Sequence, residues 1–163
     1  MSPKSLGIKM RNKTKAYSVA MAAILALVVQ TNEAGKGEDT MTANGTFEVK
    51  LTPQEDEGFP AGRMLIDKTF SGDLSGTGLG QMISKRTESG VAVYHAVEEF
   101  SGELKGKQGG FTLIHSGYMD SEAQSLEVTI LDGSGSGELA GISGAMLITQ
   151  DDSGHQYELH YEL

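Results

Sequence analysis

The chain has no cysteine and no tryptophan, and only 3 of its 163 residues are proline. Without cysteine there is no disulfide framework, no thiolate nucleophile, no lipid-modified cysteine and no zinc site of the thiolate kind. This absence fits every cellular compartment, so it does not indicate a redox environment. Helical periodicity is also missing from the body of the chain, and no glycine-rich run joins a strand to a helix as a phosphate-binding loop does.

Basic residues become scarce after position 40. Residues 1–40 contain six Lys and Arg against three Asp and Glu, whereas residues 41–163 contain seven against nineteen. An acidic body without a basic stripe argues against nucleic acid and against an anionic membrane surface as partners. The same net charge also keeps a glycine-rich protein soluble, which is its simplest explanation.

The first 40 residues have the pattern of a targeting segment. A basic stretch precedes an apolar run from Ala16 to Val29, which is shorter than the roughly 20 residues of a membrane span. Ala34 is the candidate cleavage position, although Asn32 is an unusual residue two positions before a cleavage site. We therefore predict a signal peptide or an N-terminal anchor plus linker over 1–40, which implies an exported, periplasmic or membrane-anchored protein. The alternative is translation from Met41, which would make the protein cytoplasmic.

One six-residue phrase, Ser-Gly-acid-Leu-x-Gly, occurs three times in the body, at residues 71–76, 101–106 and 136–141. Glycine at these positions indicates bulges or tight bends, where a Cβ atom would clash. The leucine of each copy is suited to a buried position in the hydrophobic core. A repeat of this kind predicts a sheet that folds over on itself with similar corners.

Short strands with alternating apolar and polar residues account for the rest of residues 41–163. The predicted strands span residues 46–52, 63–70, 77–86, 91–100, 110–118, 126–131, 145–150 and 156–163. Eight strands joined mostly by hairpins fit a sandwich or a closed barrel, and the repeated corners favour the barrel. We predict a single all-β domain over 41–163, an eight-stranded antiparallel β-barrel whose interior holds packed side chains or one small ligand.

Two ionisable residues fall on apolar strand faces. Glu98 shares a strand face with Ala96 and Phe100, and His115 shares one with Phe111 and Leu113. A buried carboxylate needs a partner or a raised pKa, and pairing of the fourth and fifth strands across the second repeat would supply His115. Such a pair is either a satisfied internal ion pair or a proton-transfer pair, so Glu98 and His115 are the candidate catalytic residues.

Lys68 lies on the face of Phe70, where its side chain either balances Glu98 inside the barrel or, as we favour, extends to a rim. His155 and His160 are five residues apart and face opposite sides of a strand, so no metal site is predicted. If the interior is a pocket, its predicted lining is Phe70, Met82, Tyr94, Phe111, Leu113, Tyr157 and Tyr161.

Several segments, in order, resemble a known bacterial family. They are Gly45–Val49, Asp67–Leu74, Gly110–Gly117, Gly135–Gly144 and His155–Tyr161. Together they are similar to the domain-of-unknown-function family three-two-two-four, over about residues 41–163. The family's usual pattern starts close to position 41, so the N-terminal extension departs from it.

The resemblance implies an allene-oxide-cyclase-like barrel of eight antiparallel strands. Similar barrels, the plant allene oxide cyclases and dirigent proteins, steer reactive intermediates in an apolar cavity, and related barrels are often dimers or trimers. Fold-level analogy alone does not transfer an activity.

Two functions follow from these observations as expectations. The first is an interior that binds a small apolar molecule and steers its isomerisation or cyclisation without a cofactor. The second is a non-enzymatic structural or oligomeric barrel with a filled core. An internal cavity of a few hundred Å³ distinguishes the first from the second.

Overall fold

Residues 40–163 form one β-sheet that closes into a barrel. A computed structural model describes these residues, so the predicted targeting segment lies, apart from residue 40, outside the described residues. The nine strands are β1 Met41–Gln54, β2 Gly62–Gly72, β3 Leu74–Arg86, β4 Ala92–Leu104, β5 Lys107–Met119, β6 Gln124–Ile130, β7 Ser136–Gly137, β8 Ser143–Asp151 and β9 Gly154–Glu162.

Eight of these strands make the barrel wall. Consecutive strands pair antiparallel from β1 to β6, β8 follows β6, and β9 pairs with both β8 and β1, which closes the sheet. The pairing of β6 with β8 involves only Thr129 and Ala145. The ninth strand, β7, has two residues and pairs only with β5. The predicted all-β, eight-stranded antiparallel barrel is therefore confirmed.

Most strands extend further than the sequence pattern predicts. β1 begins at Met41 because its first residues pair with the end of β9, where Met41 lies opposite Tyr161. β4 continues to Leu104, so most of the second repeat belongs to a strand rather than to a corner. The two-residue strand β7 was not predicted, since nothing distinguishes Ser136 and Gly137 from turn residues.

All three copies of the repeated phrase lie at one end of the barrel. They occupy the β2–β3 corner, the β4–β5 hairpin and the connection from β7 to β8. Their leucines, Leu74, Leu104 and Leu139, are completely buried in the core cluster. The repeat therefore closes one end of the barrel, as its apolar residue predicts.

Glycine pairs allow neighbouring strands to approach at this closed end. Gly72 has a φ of +109°, and a Cβ placed on it would lie 2.8 Å from the Cα of Gly45 in β1. Gly137 has a φ of +63°, and its Cβ would lie 3.1 Å from the Cα of Gly109 in β5. A side chain at either position would be strained and crowded, which explains glycine in the phrase.

The acidic residue of the phrase binds the neighbouring backbone in two of the copies. Asp73 accepts a hydrogen bond from the Asn44 amide through Oδ2 at 2.9 Å, and Glu138 accepts one from the Gln108 amide through Oε2 at 2.8 Å. In the second copy Glu103 instead accepts from the Gln108 side-chain amide at 2.8 Å. These carboxylates satisfy groups at the rim and belong to the scaffold.

Candidate functional site

The opposite end of the barrel contains a cavity of about 420 Å³. Its walls are mainly apolar and come from strands on every side of the barrel: they include Phe47, Val49, Ile66, Met82, Tyr94, Leu126 and Ile148. Tyr94 faces Gly117 across the β4–β5 pair, and a Cβ on Gly117 would collide with the tyrosine ring. The missing side chain therefore lets Tyr94 lie against the strand and keeps the cavity open.

Three ionisable side chains meet in the interior beside this cavity. Lys68 from β2, Glu98 from β4 and His115 from β5 are 5%, 0% and 4% exposed. Lys68 Nζ donates a hydrogen bond to Glu98 Oε2 at 2.7 Å, and His115 Nε2 lies 3.0 Å from the same oxygen. Two nitrogen groups thus converge on one carboxylate oxygen.

The contact between His115 and Glu98 is short but poorly aligned. Although Nε2 is within hydrogen-bond distance of Oε2, it forms no hydrogen bond with adequate geometry, and neither does Glu98 Oε1. The contact is therefore a close approach of the two groups without a well-aligned hydrogen bond. Buried polar atoms without partners are uncommon and costly. Their presence beside a cavity is typical of a functional site.

The carboxyl group of Glu98 is ionised at neutral pH. Burial raises its pKa, but the contact with His115 and the positive charge of Lys68 lower it by more, so the pKa lies below the ordinary value. Glu98 thus satisfies the expectation of a buried carboxylate with a partner. It carries a charge that balances Lys68.

Gly78 makes the space that the Glu98 carboxylate occupies. A Cβ on this residue would collide with Glu98 Oε1 and would lie 2.9 Å from Cε2 of Phe70. Gly78 lies on β3 between β2 and β4, the strands that carry Lys68 and Glu98. The absence of a side chain there allows the ion pair to form across the intervening strand.

The structure brings some of the predicted site residues together. Glu98 and His115 are neighbours, as the antiparallel pairing of β4 and β5 predicts. His115, Met82 and Tyr94 line the cavity, whereas Glu98 is not among its lining residues. The preference for Lys68 at a rim was wrong: its side chain is buried and paired with Glu98, the alternative that the sequence also allowed.

The remaining predicted lining residues lie in the packed core rather than on the cavity surface. They are Phe70, Phe111, Leu113, Tyr157 and Tyr161. Tyr157 has a structural task there, because its hydroxyl accepts a hydrogen bond from the buried Leu74 amide at 2.7 Å. Its pKa is raised by burial.

Sequence reasoning missed most of the residues that line the cavity, and two of them are stacked rings. His155 stacks on Phe47, with ring centroids 4.9 Å apart, and both line the cavity. The sequence predicts His155 only as a residue unsuited to bind a metal together with His160. It shares a strand face with Tyr157 and Leu159, which indicates an inward position. Within residues 40–163 no three His, Asp or Glu side chains converge as metal ligands would, and no helix is long and apolar enough to cross a membrane.

The described part of the molecule is a closed antiparallel barrel with one packed end and, at the other end, a cavity that ends at a buried Lys–Glu–His cluster. The family model of DUF3224, proteins of unknown function, matches residues 43–161. The chain therefore belongs to the DUF3224 family, as the resemblance predicts.

A solved structure supports the same assignment. The chain is similar to a protein of unknown function from the DUF3224 family of Shewanella oneidensis MR-1, with 37% sequence identity and a TM-score of 0.70. The match covers 76% of this chain and 96% of that one. No curated protein matches the chain.

Proposed function

We propose that the barrel binds a small, mainly apolar molecule in the cavity at its open end. The observation that carries this proposal is the combination of about 420 Å³ of space, apolar walls and a few polar side chains at one place, Lys68 and His115. Ligand pockets typically have volumes of about 300–1,000 Å³ and this kind of lining. The cavity also favours ligand binding over a barrel with a filled core.

We further propose the type of reaction that such a site would steer, if its ligand reacts. The apolar walls would hold one conformer, which favours an isomerisation or cyclisation without a cofactor. His115 would exchange the proton, because it lines the cavity, and Glu98 behind it would act as a positioning residue. The proton would leave one ligand atom for the His115 imidazole and return from it to another, so the step needs no further reactant.

The outer surface favours a second, structural role. Leu79, Ile83 and Val97 are more than half exposed and line a shallow depression on the outside of β3 and β4. Exposed apolar groups on a sheet are suited to contact between subunits. A homo-oligomer, dimer or trimer, and an exported or anchored location remain predictions of the sequence, and both are compatible with a ligand-binding interior.

Obstruction of the cavity is expected to weaken ligand binding strongly. Ala92 lines the cavity, so tryptophan in its place would fill part of the space that a ligand needs. We expect the Ala92→Trp variant of the full chain to bind the neutral fluorescent probe N-phenyl-1-naphthylamine at least tenfold more weakly than the wild type. The measurement is a fluorescence titration of both proteins.

The matched control replaces the next residue, whose side chain is on the outside. Val93 is 40% exposed, and the Val93→Trp variant should bind the probe as the wild type does. Thermal melts establish that both variants are folded. Equal binding by the two variants would contradict the proposed site, and failure of the wild type to bind the probe would contradict the proposed function.

A further inference from the structure

We infer that the ligand carries a single negative charge, as a carboxylate, and that this group binds beside Lys68 and His115. The inference rests on the proposed function and adds the chemical class of the ligand. It follows from the charges that face the cavity, the hydrogen-bond donors that remain free there and the direction in which Glu98 points.

The cavity has basic side chains in its lining. Its lining includes Lys68, His115 and His155, and among the described residues that line it there is no Asp or Glu. This is unusual in a body that contains nineteen acidic residues against seven Lys and Arg in positions 41–163. The residues of the cavity lining thus differ from the acidic protein around them, which favours an anion over a cation as occupant.

Hydrogen-bond donors remain available next to the cavity. A lysine ammonium group has three N–H donors, and Lys68 uses one of them for Glu98 Oε2. The His115 side chain is 4% exposed, lines the cavity and has an Nε2 atom without a hydrogen-bond partner. Lys68 and His115 both contact the same Glu98 oxygen, so the two side chains are close enough together to contact one carboxylate in the cavity.

The negative charge of Glu98 is turned away from the cavity. This residue is fully buried and absent from the lining, and its Oε1 atom lies against Gly78 on the neighbouring strand β3. Glu98 compensates Lys68 from behind, so the cluster balances a further anion only through a proton taken up by His115, and it can balance one negative charge and not two. A carboxylate meets this condition at neutral pH, whereas a phosphate monoester carries more charge.

Two aromatic rings surround the ammonium group of Lys68. The Lys68 ammonium group lies 4.6 Å from the centre of the Phe47 ring and 5.6 Å from that of Phe70. Aromatic faces stabilise a cation without competing for its hydrogen bonds. Charge-assisted hydrogen bonds are roughly twice as strong as neutral ones, so a carboxylate gains more here than an alcohol of equal size.

Three eight-carbon molecules with different head groups test the inference. We expect the full-length protein to bind octanoate about tenfold more tightly than octanol, and octylamine more weakly than either, in isothermal titrations at neutral pH. The double variant Lys68→Met/Glu98→Gln, which leaves no unpaired charge, should bind octanoate no better than octanol. Thermal melts establish that this variant is folded.

The outcomes separate the inference from the proposed function. If octanol or octylamine binds as tightly as octanoate, the inference is overturned while the cavity remains a ligand site. The same conclusion follows if the double variant keeps the preference for octanoate, or if only N-phenyl-1-naphthylamine binds. If none of the four molecules binds the wild type, the proposed function fails as well.

Discussion

Replacement of Lys68 by methionine is expected to lower the free energy of unfolding by about 3–5 kcal/mol, the usual cost of removing one partner of a buried ion pair. The reason is the charge that remains. Glu98 is fully buried, its pKa lies below the ordinary value, and the nearest cationic group is Lys68 Nζ at 2.7 Å. Without Lys68 this carboxylate either stays charged and unpaired or takes up a proton.

The double variant Lys68→Met/Glu98→Gln should recover most of the lost stability. It contains no unpaired buried charge, and replacement of a whole buried pair by neutral residues of similar volume is often close to neutral. The wild type, Lys68→Met, Glu98→Gln and the double variant form a double-mutant cycle, which is measured by urea unfolding at neutral pH. The strong coupling that we expect distinguishes an ion pair from two independent core residues.

The control for this cycle is Lys50→Met on the outer face of β1. Lys50 is exposed, so its replacement should change the free energy of unfolding by less than about 0.5 kcal/mol. A loss below about 1 kcal/mol for Lys68→Met, or additive effects of the two single variants, would contradict the buried ion pair.

Truncation of Leu139 to alanine is expected to lower the free energy of unfolding by about 2–5 kcal/mol. Leu139 is completely buried and belongs to the third copy of the repeated phrase, at the closed end of the barrel. Leu139 lies in the connection from β7 to β8, and its side chain packs against β5, where a Cβ on Gly109 would lie 3.1 Å from its Cγ. Neighbours packed this closely leave a cavity when the side chain is removed.

The outward leucine of the next strand is the matched control. Leu147 in β8 is 49% exposed, so Leu147→Ala should change the stability by less than about 0.5 kcal/mol. Both variants are compared with the wild type by urea unfolding. Equal effects of the two truncations would show that the repeated phrase does not close the barrel.

Alternation along the strands made the barrel and the central pair predictable. It assigned Glu98 and His115 to inward faces, and the hairpin at the second repeat brought their strands together as antiparallel neighbours. Leu74, Leu104 and Leu139 were likewise identified as core residues from the repeated phrase alone. These features depend on a period of two and on local turn chemistry, both of which are visible in a single sequence.

Depth within the barrel could not be predicted in the same way. Alternation separates inside from outside, but the position of a residue along the barrel axis depends on how far each strand is shifted against the next. Phe111 and Tyr94 both face inward, yet Phe111 is in the packed core and Tyr94 lines the cavity. The same limitation explains why Lys68 was expected at a rim.

The position of Tyr157 has a further cause. Its hydroxyl binds the Leu74 amide, which is 83 residues away in the sequence and belongs to the start of β3. Nothing in the local pattern around Tyr157 indicates that a distant backbone N–H needs an acceptor. Buried polar groups are satisfied wherever the fold brings a partner, so such pairs become visible only in three dimensions.

The measurement that tests the central claim most directly is native mass spectrometry of the full chain purified from its host, alongside the Ala92→Trp variant prepared in the same way. We predict that the wild type retains one small molecule per barrel, that this molecule is mainly apolar with an acidic group, and that the variant does not retain it. A wild-type spectrum with no retained molecule, together with failure to bind any of the four probe molecules, would contradict the account of this barrel as a ligand-binding protein.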